Sequence, residues 1–184
     1  MSDSQETFPI AGLLLGTLAM TVIVTAANIL VAYPINDWLT WGAFSYPVTF
    51  LVTDFTNRTL GAAAARKVVY AGFVVAVVLS LWLADPRIAL ASGSAFLIAQ
   101  LLDIAIFDRL RRASWWRAPF ISSTISSAID TAIFFCLAFA GTGLPWITWA
   151  LGDYAVKLAM ALAMLAPFRA LMAVIRVQAA AKHV

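Results

Sequence analysis

The sequence predicts an all-α, polytopic membrane protein with six transmembrane helices and both termini cytoplasmic. Three observations carry this. Of 184 residues, 63% are hydrophobic and only 11% charged, where soluble domains carry about a quarter charged residues. Mean hydropathy is +0.92, so the solvent for most of the chain is lipid. The basic residues, finally, fall at alternate turns between apolar runs, the signature of the positive-inside rule.

A spanning helix needs about 20 mostly apolar residues. The first such run, 8–33, is broken only by threonines and Asn28 and stops at Pro34, whose ring cannot continue a helix. Residues Met1 to Thr7 carry Asp3 and Glu6 but no Lys or Arg, the wrong charge for the start of a cleaved signal peptide, so this run is expected to be retained. Trp38 and Trp41, one helical turn apart in the segment 35–43, predict an interfacial turn at the lipid headgroups. Further spans are expected over 44–60, 62–84, 88–110, 119–140 and 146–175, with Pro86 and the stretch from Gly141 to Pro145 marking turns. The last is long enough to tilt or to leave the membrane near Pro167. The whole chain, 1–184, reads as one transmembrane domain.

Arg58, Arg66 and Lys67 flank the turn after span two; Arg109, Arg111, Arg112 and Arg117 the turn after span four; Arg169, Arg176 and Lys182 follow span six. Arg87 is the one basic residue in the other turns. Six spans put every basic cluster on the cytoplasmic side, whereas five or seven would put one outside. The same argument assigns the pI near 9.4 to membrane topology and not to a nucleic-acid partner. Cys136 is the only cysteine, which excludes a disulfide framework and a cysteine metal site. No cofactor or metal is expected, since metal-ligand sets, a nucleophile elbow and a phosphate-binding glycine loop are missing from the sequence.

A charge at bilayer depth costs at least about 2.5 kcal/mol on insertion scales, so intramembrane ionisable residues are candidates for function. Span two carries Asp54, Asn57 and Arg58 on one face; span four carries Gln100 and Asp103 one turn apart. Span five presents Ser123, Ser126, Ser127 and Asp130 as a polar stripe, and span six Asp153 and Lys157 at i and i+4. A central polar cavity is the simplest arrangement that hydrates or pairs these groups. Structural readings stand beside this one: Arg58 reaching the cytoplasmic interface, Asp153 with Lys157 as an ion pair within one helix, the serines as close helix contacts, and Trp115, Trp116 and Arg117 as an interface anchor. Phe50-Leu51 with Asp54 and Asn57, and Phe96-Leu97 with Gln100 and Asp103, form a faint repeat at an offset of 46 residues, on helices expected to run in the same direction.

The stretch from Ser45 to Arg58, then Ser92-Gly93 with Ala95 to Asp103, then Ser126 to Phe135 resembles the queuosine precursor transporters, a branch of the vitamin uptake transporters. Lys157 and Pro167 resemble the final helix of that family, and the likeness covers about three quarters of the chain. The resemblance implies uptake of the deazaguanine bases preQ0 and preQ1 across the bacterial inner membrane, for queuosine synthesis in transfer RNA. The implied partners are a purine-like small molecule and the lipid bilayer, with homo-oligomerisation left open. A carboxylate can accept both the N1–H and the exocyclic amine of such a base, and its ring can stack on an aromatic side chain. Asp54 or Asp130 is the expected acceptor, Asn57 and Gln100 the readers of the opposite edge, and Phe50, Phe96 or Phe134 the stacking ring. Two other functions fit the residues less well: the substrate-binding subunit of an ATP-driven importer, and an intramembrane enzyme pairing Asp103 with Asp108 or Asp54 with Asp130.

Overall fold

The computed structural model describes residues 10–30, 33–36, 39–83 and 86–181. It is an α-helical membrane protein with one minute β-hairpin. Helix α1 spans Ile10–Leu30 and leads into strands β1 (Pro34–Asn36) and β2 (Leu39–Thr40), which pair antiparallel. Then follow α2 (Gly42–Ser45), α3 (Val48–Leu60), α4 (Ala62–Leu83), α5 (Pro86–Leu110), α6 (Arg117–Phe139), α7 (Trp146–Ala163) and α8 (Leu165–Ala181). The expected interfacial turn is thus built as the hairpin plus α2, with Trp41 exposed; Trp38 lies outside the described residues, as do Met1 to Thr7 and Lys182.

Among the described residues, five segments are long and apolar enough to cross a bilayer: Ile10–Ala27, Ala62–Leu79, Pro86–Leu110, Arg117–Phe139 and Trp146–Ile175. Leu14, Leu18 and Val22 on α1, and Val74, Val78 and Trp82 on α4, stand exposed along single helix faces. Apolar stripes of this extent suit contact with lipid chains and would be costly in water.

The sixth expected span differs from the other five. A continuous helix over 44–60 does not form: Pro47 has no N–H to give and disfavours helical geometry at Tyr46, so the chain breaks between α2 and α3. The 13 residues of α3 extend about 20 Å, short of a hydrocarbon core about 30 Å thick. In place of a lipid-facing stripe, α3 buries Thr49, Phe50, Thr53, Asp54, Thr56 and Asn57. It packs on α1, α4 and α5 and touches α6 and α8. The last expected span, 146–175, is likewise broken at Met164 into α7 and α8. Pro167 cannot donate back into the preceding turn, which places the break one turn ahead of it.

Contacts between α3 and α5 ascend together along both helices. The Tyr46 ring meets Phe96 edge-on, Thr53 bonds to Gln100, and Asn57 bonds to the Ile104 carbonyl. The two helices are therefore parallel neighbours, in the common direction that the 46-residue echo predicts. A single residue, Gly61, joins α3 to α4, and its φ of 90° is a conformation that side chains disfavour. Met20 and Val24 of α1, Ala65, Val68 and Val69 of α4, and Phe96 and Ile104 of α5 form one apolar core. Phe107, Ala118 and Phe168 form a second between α5, α6 and α8.

Helices α1 and α4 pack closely at Gly72, where a Cβ would stand 2.5 Å from Met20 Cγ. Gly72→Ala should therefore destabilise the purified protein by about 1–3 kcal/mol, the usual cost of overpacking. Thermal unfolding in detergent measures this, and in a Met20→Ala background the Gly72→Ala change should cost less.

Candidate functional site

Buried polar side chains converge from α3, α5, α6 and α7, where they form three connected groups. The first surrounds Lys157 of α7. Its Nζ lies 2.7 Å from Asp130 Oδ2 and 2.5 Å from Asp153 Oδ2, and donates to Thr131 Oγ1 at 3.1 Å. All three ammonium protons thus have acceptors. Thr131 donates in turn to Asp153 at 2.7 Å, and the Tyr46 hydroxyl donates to the second oxygen of Asp130 at 3.1 Å. The ammonium also stands 5.6 Å from the centre of the Tyr46 ring. Lys157 therefore ties α7 to α6, and Asp130, which has no basic neighbour on its own helix, is paired across the helix interface.

The second group surrounds Asp54 of α3. Ser122 Oγ and Ser123 Oγ of α6 donate to its two oxygens, each at 3.3 Å. Asp103 of α5 lies within hydrogen-bonding reach of the same carboxyl group. It is fully buried, and neither of its oxygens accepts a hydrogen bond among the described residues.

The third group fixes α3 against α5. Gln100 Nε2 donates to Thr49 Oγ1 at 2.8 Å, and Thr53 Oγ1 donates to Gln100 Oε1 at 2.6 Å. Asn57 Nδ2 donates to the Ile104 carbonyl at 3.1 Å. Arg111 Nη2 donates to the Asn57 backbone carbonyl at 2.7 Å and to its side-chain oxygen, while Arg58 Nη1 donates to the Arg111 carbonyl. Arg58 is thus held by the neighbouring turn, half-buried, instead of reaching freely outward.

A narrow cleft, partly open to the exterior and with room inside for about one water molecule, lies between the first two groups. Asp54, Ser123, Ser127 and Lys157 line it, together with the aromatic side chains of Phe50 and Phe168. Both helix breaks border it, through Pro47 and through Met164 with Leu165. Of the eight residues singled out by sequence, Asp54 and Lys157 line the cleft. Asp130 and Asp153 hold Lys157, Asp103 stands beside Asp54, and Asn57 and Gln100 bond between helices. Ser126 is buried in the α6 stripe with no partner for its hydroxyl among the described residues. Phe96 packs in the α1–α4–α5 core, and Phe134 packs on Phe135 and Phe139, so of the three aromatic candidates Phe50 borders the cleft. Asp108 bonds to Arg111 and Asp130 to Lys157, so the aspartate pairs required for an enzyme, Asp103–Asp108 and Asp54–Asp130, are replaced by other partners.

Sequence reading missed Tyr46, Ser122, Thr131 and Arg111. Tyr46 had a usable signal, because a proline directly after it breaks the helix and aims its ring inward. Ser122 and Thr131 are next to residues already in the polar stripe of α6. The anchor residues pair as stacked cations: Arg117 lies 5.6 Å from the Trp116 ring centre, and Arg169 lies 5.0 Å from that of Trp115. No cluster of three or more His, Cys, Asp or Glu side chains suited to a metal occurs among the described residues.

Several long apolar helices around a polar interior define a multi-pass membrane protein. Residues 40–85 and 83–172 match the family described as putative vitamin uptake transporter. The chain is 33% identical over 175 residues to the queuosine precursor transporter of Escherichia coli K12, covering 79% of each chain. It is 36% identical over 154 residues to the probable queuosine precursor transporter of Haemophilus influenzae, covering 70% of this chain and 66% of that one. A probable queuosine precursor transporter of Bacillus subtilis is 28% identical over 153 residues, 67% of each chain. No solved structure matches. The chain belongs to the queuosine precursor transporter family, and it is a transporter, not an enzyme.

Lys157→Met should leave Asp130 buried without its cation and destabilise the protein by about 3–5 kcal/mol. Adding Asp130→Asn should recover part of that loss. Denaturation of the purified variants in detergent checks both expectations.

Proposed function

We propose that the chain imports queuosine precursors, the 7-deazaguanine bases preQ0 and preQ1, across the bacterial inner membrane for queuosine synthesis in transfer RNA. It acts as one transmembrane unit of six membrane elements, α3 with α2 being the short second one, with both termini in the cytoplasm. The orientation is supported by the basic turns and by the bond from Arg58 to the Arg111 carbonyl, which brings the turn after α3 and the turn after α5 to the same end.

The observation that carries this reading is the narrow cleft lined by Asp54 and Lys157, which admits a base once the helices part at the two breaks that border it. A deazaguanine base is flat, uncharged in its ring, and has two adjacent N–H donors on one edge. Asp54 presents a carboxylate that accepts both donors, and Ser123 and Ser127 offer hydroxyls nearby. Phe50 and Phe168 provide surfaces for the faces of the ring. Lys157 contributes a positive field toward the carbonyl edge while its own protons remain with Asp130, Asp153 and Thr131. Gln100 and Asn57 serve the site by fixing α3, and so Asp54, against α5.

Uptake of labelled preQ1 by cells unable to make deazaguanines, with this protein as their only importer, tests the reading. Asp54→Asn should lower uptake about tenfold or more at unchanged protein abundance, the equivalent of one lost charge-assisted hydrogen bond. Phe50→Ala should lower it about tenfold through lost stacking. Full uptake in Asp54→Asn would overturn the role given to that residue, and no uptake by the unaltered protein would overturn the substrate.

A further inference from the structure

Asp54 and Asp103 form the one place in the described interior where two carboxyl groups meet without a cation between them. Asp103 is fully buried, and both of its oxygens lack a donor, as does the buried hydroxyl of Ser126 on α6. Ser122 and Ser123 each stand 3.3 Å from one oxygen of Asp54, and Ser122 is equally close to the Pro119 carbonyl, so the two hydroxyl protons cannot satisfy both carboxyl groups. Every charged group on the packed elements is engaged elsewhere or exposed. On α3, Arg58 binds the Arg111 carbonyl; beyond α5, Arg111 binds Asn57 and Asp108. On α6, Asp130 is held by Lys157 and Tyr46, and the ammonium of Lys157 on α7 has three acceptors of its own. On α8, Arg169 stacks on Trp115, and on α4, Arg66 and Lys67 are exposed.

Two carboxylates in contact within a low-dielectric interior repel each other strongly, and a single shared proton removes the repulsion. We propose that Asp103 holds this proton, donates it to Asp54, and carries it as the coupling ion of transport. With Asp103 protonated, its O–H fills the orphaned position and Asp54 keeps its negative charge toward the cleft, ready for the donor edge of a base. With Asp103 deprotonated, the second charge drives Asp54 out of that arrangement and the site loses the base. The proton therefore enters from the outer water before or with the base, crosses with it, and leaves to the inner water after the base departs. One proton moves inward with each base, in addition to any charge that the base's own substituent carries. The identity of the base rests on the reading above; the presence of the proton does not.

Two measurements on the full chain separate these points. Infrared spectroscopy of the purified protein at neutral pH, without substrate, should show the carbonyl stretch of a protonated carboxyl group; it should vanish in Asp103→Asn and persist in Asp108→Asn. Absence of the band in the unaltered protein, or its survival in Asp103→Asn, overturns the proposal whatever the substrate is. In proteoliposomes with the membrane potential clamped, an inward pH gradient of about one unit should concentrate preQ1 about tenfold inside. Asp103→Asn should stop at equal concentrations while still exchanging labelled for unlabelled base. Accumulation driven by a sodium gradient, or by no gradient, overturns the coupling. Absence of preQ1 movement by the unaltered protein under every gradient counts against the substrate, and the infrared result then decides the proton site alone.

Discussion

The ammonium of Lys157 sets the arrangement of the interior. A buried cation is tolerated only when excellent geometry repays its desolvation, and here two carboxylates and a hydroxyl supply that geometry. Because Asp130 and Thr131 come from α6 and Asp153 from α7 itself, these contacts fix the rotation of both helices about their axes. Asp130 then orients the Tyr46 hydroxyl, and Tyr46 stands at the break that starts α3. The register of α3 follows, and with it the position of Asp54 opposite Ser122 and Ser123.

The two breaks give the fold its cleft. A bundle of straight helices would close over its own polar residues, because ridges pack into grooves along the full length of each contact. The interruption before Pro47 and the one at Met164 each remove a turn from the packing, and residues at both breaks line the same opening. Proline thus creates space here by what it withholds from the backbone ladder.

The sequence made the membrane class and the long helices legible, because length and hydropathy alone decide whether a helix can cross a bilayer. It also identified most of the polar interior, since a serine stripe on α6 or an aspartate on α3 has no bland place in lipid. Two things escaped it. The length of α3 was overstated, because hydropathy weighs Phe44 and Tyr46 as apolar and does not see that a proline one residue later ends the turn. Partners were also hidden: the spacing of Asp153 and Lys157 on one helix suggests a closed pair, whereas the lysine reaches across to Asp130 as well. Which of two carboxylates a cation chooses depends on helix rotation, and rotation is a property of the packed bundle. The same holds for Gln100 and Asn57, whose side chains could face a ligand or a neighbouring helix with equal chemical sense.

Helix α3 is too short and too polar to hold a place in lipid by itself, and its polar side chains find their acceptors and donors on segments made later. Thr53 and Asn57 bond to residues 47 positions further along the chain, and Asp54 to a serine 68 positions further. Order of synthesis and order of burial are therefore different. As the chain emerges from the ribosome, α1 and α4 can partition into the bilayer at once, while α3 must wait in a polar environment until α5 and α6 have followed. The buried polar residues of α3 thus also impose a schedule on the protein's own biogenesis, with a vulnerable interval in which an unfinished interior is open to quality control.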